Sequence, residues 1–257
     1  MKRVKVRIDT GCVCEQYVYS VPERCDIRTT KPRKPRFKTE AERAEHRRKM
    51  AWRDHARKVN ENFRPGDLYA TLTFDDAHEV HTFAEARRVR DNYFRRLQRA
   101  CPDAVIFIYM GRGNSGRIHF HMLCQGIDEQ MIGKKWGQGS VIHVRRLREH
   151  NYYKQADGTK KDFGADFTGL ANYLINHWTE EQGGHRYKCT RNARVPKPEK
   201  PKEVKRDYCG KHPPRAPKGY ELVAVEGNMY GYWWFKYVKK PVPKPVGRPR
   251  KKTELKS

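Results

Sequence analysis

Hydrophobic positions along the chain follow two periods, one of two residues and one of three to four, and the periods alternate. The run Leu68-Tyr69-Ala70-Thr71-Leu72-Thr73-Phe74 places Leu68, Ala70, Leu72 and Phe74 on one face and hydroxyl side chains on the other, which predicts a half-buried strand. Ala104 to Met110 is a continuous apolar run, Gly111 to Arg117 a Gly-rich turn, and Ile118 to Cys124 a second strand-like run. Together they predict a central antiparallel hairpin. Short alternating stretches at Val4 to Ile8 and Gln16 to Val21 predict a small N-terminal hairpin. Tyr220 to Val225 and Met229 to Val238, around Glu226-Gly227-Asn228, predict an aromatic one near the other end.

Helical spacing fills the intervals. Thr39-Glu40-Ala41-Glu42 is a capping-box pattern opening a charged helix to about Asn60. Its thin apolar stripe of Trp52, Val59 and Phe63 leaves Arg47, Arg48, Arg53 and Arg57 to solvent or phosphate. Thr82-x-x-Glu85 opens a second helix with Phe83, Ala86, Val89, Tyr93 and Leu97 on one side and Arg87, Arg88, Arg95 and Arg99 mostly off it. A short helical patch from Asp128 to Trp136 precedes a strand from Ser140 to Val144 and a polar loop from His150 to Lys161 that turns at Asp157-Gly158. Between Asp166 and Glu180 the residues Phe167, Leu170, Ala171, Leu174 and Trp178 form one stripe, the strongest helical pattern in the chain. The expected class is therefore α+β, a central antiparallel sheet with helices packed on it.

Composition divides the chain. A charged fraction of 33% and a hydrophobic fraction of 37% stand against roughly 25% and 45 to 50% in ordinary globular chains, so part of the chain lies outside any core. The basic, Pro-rich stretch Arg28 to Arg36 reads as a link, and Lys239 to Ser257, built of Pro and Lys, as a disordered tail. This gives an N-terminal strand segment and link (1–38), a main domain (39–182), a basic linker with the aromatic hairpin (183–238), and a tail (239–257). Lys and Arg outnumber Asp and Glu by 56 to 30, a formal charge of +26; such an excess attracts a polyanion, nucleic acid first. No apolar run is long enough to span a bilayer, and Met1 to Glu15 lacks the apolar segment of a secretory signal. A cytoplasmic protein without a membrane partner is expected. Seven cysteines without a Cys-x-x-Cys pair read as reduced thiols; a zinc site on Cys12, Cys14 and Cys25 lacks the usual spacing.

Chemistry concentrates at two places. His119-Phe120-His121 lies in the second strand of the central hairpin, so both imidazoles leave one face about 7 Å apart while Phe120 and Met122 enter the core. Two histidines so placed can share one metal. In Leu170-Ala171-Asn172-Tyr173-Leu174-Ile175-Asn176-His177-Trp178, Tyr173 falls at the edge of the apolar stripe with Asn176, His177 and Glu180 along the same flank. Either feature alone is commonplace, a polar strand face or a tyrosine on a helix surface. Their combination suggests a metal beside a phenol nucleophile.

At this point a family resemblance emerges. Asn62-Phe63-Arg64-Pro65-Gly66-Asp67, the strand Thr71-Leu72-Thr73-Phe74, and Gly116-Arg117-Ile118-His119-Phe120-His121-Met122 followed by the Tyr173 helix resemble HUH endonucleases. The branch they resemble is the rolling-circle replication initiators of phages and plasmids. Trp136-Gly137-x-Gly139, Tyr187-Lys188-Cys189-Thr190-Arg191-Asn192 and Gly219-Tyr220-Glu221-Leu222 also resemble that branch.

The resemblance implies a sheet carrying His119 and His121, with the tyrosine helix laid across a divalent metal, Mg2+ or Mn2+. It implies site-specific nicking and rejoining of single-stranded DNA through a covalent bond from Tyr173 to a 5′ phosphate. Two positions depart from the pattern. Where many relatives carry a carboxylate about eight positions before the first histidine, this chain has Tyr109-Met110-Gly111-Arg112; His177 is the first candidate third ligand, with His143 or Asp75 as alternatives and water filling the rest. Where relatives often have a lysine three residues after the tyrosine, this chain has Asn176, and His177 or Arg117 would steady the phosphate.

Candidate DNA contacts are Arg87 and Arg88 on the second helix, Arg112 and Arg117 around the Gly-rich turn, Arg191 in the linker, and Arg248 and Arg250 in the tail. Gly247-Arg248-Pro249-Arg250 with Lys251 and Lys252 resembles an AT-hook, an alternative being a non-specific basic tail. Trp136, Tyr152 and Tyr153 are stacking candidates, each with packing as its alternative fate. A phosphate loop of the Gly-x-x-x-x-Gly-Lys type is absent from the sequence. No nucleotide cofactor is therefore expected, and a host helicase and polymerase would be partners at the origin. A relaxase or single-tyrosine transposase shares this chemistry, and a basic nucleic-acid-binding protein without catalysis is the alternative from another class.

Overall fold

The structure, a computed structural model, describes residues 1–22, 39–113, 115–139, 142–154, 157–179, 182–183 and 185–240. The link at 28–36, Cys25, Glu180, and the tail arginines Arg248 and Arg250 lie outside the described residues. In chain order the first elements are β1 (Lys2–Asp9), β2 (Val13–Val21), α1 (Glu40–Asn62), β3 (Leu68–Thr73) and α2 (Phe83–Ala100). There follow β4 (Val105–Arg112), β5 (Ile118–Gln125), α3 (Glu129–Trp136), β6 (Ile142–Arg146), β7 (Tyr152–Lys154), β8 (Lys160–Asp162) and α4 (Thr168–Asn176). Last come β9 (Lys188–Cys189), β10 (Lys202–Glu203), β11 (Tyr220–Gly227) and β12 (Trp233–Lys239).

The fold is α+β. A central antiparallel sheet has the order β6-β3-β5-β4-β9, and a second antiparallel sheet, built from the two ends of the described chain, has the order β10-β1-β2-β12-β11. Register in the central sheet follows the alternation of the sequence. Leu72 pairs with Phe120 and Phe120 with Met110, while Ala70 pairs with Met122 and Met122 with Ile108. These rows face α2 and α3 and form the main core with Tyr93, Leu97 and Trp136. Each large apolar side chain so buried contributes about 1.5 to 3 kcal/mol. On the opposite face Phe107, Tyr109 and Leu123 pack beneath α1 and α4 through Val59, Phe63, Ala171 and Leu174.

Both capping boxes form, Thr39 with Glu42 and Thr82 with Glu85. Helix α1 leaves Arg47 and Arg48 exposed, as its thin stripe suggests, but draws Arg53 and Arg57 in. The Arg57 guanidinium donates to buried Glu15 of β2 at 2.7 Å, and Arg53 lies over the Trp234 ring of β12 at 4.7 Å. On its other side His55 bonds the Tyr109 hydroxyl of β4 at 3.1 Å. Helix α1 thus fills the space between the two sheets, where its cations find a buried carboxylate and an indole.

Other boundaries shift. Part of the expected basic linker is strand, β9 at the edge of the central sheet and β10 at the edge of the terminal one. The aromatic hairpin turns later than Glu226-Gly227-Asn228, because β11 runs through Gly227 and the reversal is closed by Asn228 N–H to the Tyr232 carbonyl at 3.0 Å. Helix α4 stops at Asn176, short of the expected Glu180: His177 and Trp178 donate to the carbonyls of Leu174 and Ile175, the tightening of a final turn that ends a helix. Trp178 therefore leaves the stripe that the spacing assigned to it.

Candidate active site

Strand alternation places the site on the face opposite the main core. Thr71 pairs with His121 and His121 with Tyr109; Thr73 pairs with His119 and His119 with Gly111. The absence of a side chain at Gly111 matters, since a Cβ there would lie 3.1 Å from His177 Nδ1 and 3.2 Å from its Cβ and Cγ. Gly111 is therefore the cradle that lets His177 settle against the strand beside His119. Ligand atoms of His119, His121 and His177 all lie within 4.8 Å of one another, and the Nε2 atoms of His119 and His121 are 3.1 Å apart. Two nitrogens each about 2.1 Å from one ion and at right angles would sit about 3 Å apart. The spacing suits a shared ion.

Electrostatics favour the same use. Burial, then the neighbouring imidazoles, pushes His121 down to about 3. Burial also lowers His119, with a hydrogen bond to the Arg117 backbone opposing it, and lowers His177, with His119 adding to the effect. All three are neutral near pH 7, the form that binds a metal. Tyr69 Oη lies 2.8 Å and Thr71 Oγ1 3.1 Å from His121 Nδ1. With the proton on Nδ1 the ring donates to one of these hydroxyl oxygens and leaves Nε2 free, an outer set of contacts that fixes tautomer and orientation. His177 Nε2 is buried without a hydrogen-bond partner, a cost that an ion would relieve. The residues present fit a divalent ion.

Tyr173 is carried to this cluster by α4. Its ring centroid is 5.7 Å from that of His121 and 4.5 Å from that of His177, and the residue is 51% exposed. Phenol and imidazoles share one side of the sheet, with the phenol open to a ligand from solvent. The start of α4 is pinned by a buried network: Lys236 Nζ of β12 donates to Asp166 Oδ2 at 2.6 Å and to Thr168 Oγ1 at 2.9 Å, while Asp166 Oδ1 accepts from Thr168 N at 3.0 Å. Asn60 of α1 accepts from Phe167 N at 2.9 Å. The end of α4 is pinned by Gln182, whose Nε2 donates to the carbonyls of His177 at 2.7 Å and Met110 at 3.2 Å. Lys236, Asp166, Gln182 and Gly111 were not among the residues singled out from the sequence. The sequence pattern puts Gly111 at the start of the Gly-rich turn, whereas β4 runs through it to Arg112.

The other predicted residues disperse. Asp75 caps a single turn and binds His78, and His143 is exposed on β6; neither joins the cluster found among the described residues. Arg117 does not point to the histidines but donates to the Phe74 carbonyl and pairs with Asp76 and Glu79. Arg112 donates to the Gly116 carbonyl, and Arg87 to the Gln182 carbonyl, so Arg87 supports the His177 turn. Arg88 and Arg191 are exposed. Trp136 is fully buried with its indole N–H on the Thr73 carbonyl, which removes it as a stacking platform, whereas Tyr152 is exposed. Cys12 and Cys14 are buried free thiols. Beside α4 a groove of about 950 Å³ runs past Ile175, His55, Lys58, Arg186, Tyr187 and Lys188.

No protein-family model matches the chain, and no curated protein matches it. Among solved structures, the crystal structure of the hypothetical protein ORF119 from Sulfolobus islandicus rod-shaped virus 1 matches with 10% identity, covering 49% of this chain and 93% of that chain at a TM-score of 0.31. A likeness of that size adds nothing to the reading of the site.

Proposed function

We propose that this protein is a rolling-circle replication initiator that nicks and rejoins single-stranded DNA, with Tyr173 as nucleophile and a divalent ion on His119, His121 and His177. The observation that carries the reading is the approach of one half-exposed phenol to three neutral imidazoles, from elements far apart in sequence.

The Tyr173 oxygen attacks the scissile phosphorus in line, its proton passing to water; the bond to the 3′ oxygen breaks, that oxygen takes up a proton, and the 5′ phosphate stays on the tyrosine. A phenol with an ordinary pKa near 10 is a weak nucleophile at neutral pH, so the surroundings must favour its anion. A divalent ion held by His119, His121 and His177 would supply that field and Lewis-acid stabilisation of the charge developing on the phosphate. Tyr69 and Thr71 hold His121, Gly111 makes room for His177, and Gln182 fixes the turn that carries it. The released 3′ hydroxyl can prime synthesis, and attack by a 3′ hydroxyl on the phosphotyrosine rejoins the strand.

Three nitrogen donors suit Mn2+ better than Mg2+, which prefers oxygen ligands. The groove past Lys58, Arg186, Tyr187 and Lys188, which Asp54 and Asp91 also line, offers cations for phosphates and a ring for a base. The wider motif resemblance favours replication over a relaxase or transposase with the same chemistry. Origin DNA, a host helicase and a host polymerase would be the partners, in the cytoplasm; no described helix is long and apolar enough to cross a membrane.

The test uses end-labelled single-stranded oligonucleotides of random sequence incubated with protein and Mn2+, then separated under denaturing conditions. Wild type should form a covalent adduct and Tyr173→Phe none. An equal adduct from Tyr173→Phe would refute the assignment of the nucleophile.

A further inference from the structure

The tip of the β11–β12 hairpin has a composition and exposure that the nicking chemistry does not use. Met229 is 89% and Tyr230 82% exposed, next to each other at the reversal. The tip is built to hold a fixed shape: Asn228 Oδ1 accepts from the backbone N–H of Tyr230 at 3.0 Å and of Tyr232 at 3.1 Å, and Gly231 N–H donates to the Asn228 carbonyl at 3.2 Å. Gly231 has φ 77°, a left-handed conformation that closes the turn without strain. Below it, Arg3 donates to the Gly231 carbonyl and to the Tyr208 carbonyl, which ties the tip to a segment where Lys205 and Arg206 are exposed, Arg206 lies over the Tyr208 ring, and Asp207 is paired with Arg3. Glu226, the nearest acid on the hairpin, is paired with Arg53 at 3.2 Å.

Size and charge together select the occupant. Two apolar side chains are far short of the roughly 800 Å² per partner that a stable protein interface buries. They match the one or two apolar residues with which proteins wedge open a base step in duplex DNA. Lys205, Arg206 and a chain of net charge +26 would draw the flanking phosphates to the same place. We propose that Met229 and Tyr230 form a wedge that enters the base stack of duplex DNA and locally unstacks it. This site is separate from the histidine cluster and stands whether or not Tyr173 is a nucleophile.

Permanganate oxidation of thymines in a thymine-rich duplex of about 20 base pairs, with saturating full-length protein, reports unstacking at any position. Wild type should raise thymine reactivity at least about threefold over free duplex. Met229→Ser with Tyr230→Ser, solvent-facing changes that leave the core intact, should bind the duplex within about twofold of wild type and lose that rise. No rise with wild type, or an equal rise with the double variant, overturns the wedge. So does loss of duplex binding by a variant with an unchanged circular dichroism spectrum, which would make the tip an anchor. Wild-type dimers that the substitutions dissolve would assign the tip to a second copy and also overturn it. Adduct formation on pre-opened single strands should be unaffected by these changes, which separates failure of the wedge from failure of the nicking reading.

Discussion

The two faces of the central sheet are built from the same three strands, and both are packed by helices, but only one of them also buries a cluster of polar side chains. One face stacks Leu72, Ala70, Phe120, Met122 and Ile108, all fully buried, under α2 and α3. The other packs Phe107, Tyr109 and Leu123 under α1 and α4 but also carries Tyr69, Thr71, His119 and His121, with His177 Nε2 buried and unpartnered beside them. Both faces bury apolar side chains; the second also holds desolvated polar groups at a cost, which is the pattern of a site kept ready for a ligand. Because strand side chains alternate, His119 and His121 owe their common direction to the same pleat that buries Phe120 between them.

Breaking the main core should have the largest effect. Phe120→Ala should lower stability by about 3 to 5 kcal/mol in urea denaturation without metal, and His119→Ala with His121→Ala by much less. A comparable loss from the histidine pair would remove the contrast. Next, Lys236→Ala leaves Asp166 buried without its cation and should cost about 3 kcal/mol, with loss of Tyr173 placement visible as a drop in adduct yield at temperatures where the variant is folded. Unchanged stability and yield would show that the terminal sheet does not anchor α4.

Smaller effects sharpen the comparison. Gly111→Ala pushes a methyl against His177 and should weaken Mn2+ binding about 10- to 100-fold, while apo stability changes little; unaltered affinity would mean that His177 is not a ligand. For pH, burial pushes His55 down to about 3 from an unfolded value near 6.5. Between those values the unfolded chain binds the extra proton, so this contribution is intact above about pH 6.5 and declines as pH falls, by up to about 1.4 kcal/mol per unit. His55→Gln should make the fall from pH 6.5 to 5 shallower in urea titrations. An identical slope would assign the acid sensitivity to other groups.

The strand and helix periods make much of this arrangement legible in the sequence. Leu68 to Phe74 and Ile118 to Cys124 carry their own alternation, and two capping boxes mark their helices, so the sheet, its buried face and the direction of His119 and His121 can be read locally. What the sequence hides is pairing at a distance. Nothing local matches Arg57 with Glu15, Asp166 with Lys236, or Gly111 with His177. The end of α4 is obscured because Trp178 continues the helical stripe while the backbone has already tightened and turned away. Arg117 looks like a phosphate ligand by its place beside the histidines, yet its acidic partners Asp76 and Glu79 come from a different loop.

The most direct test is Mn2+ titration of the metal-free protein, monitored by the loss of the free-ion electron paramagnetic resonance signal. Wild type should take up one ion per chain at a site that disappears in the His119→Ala, His121→Ala, His177→Ala variant, with the fold retained. Uptake by that variant with the same affinity and stoichiometry would contradict the account.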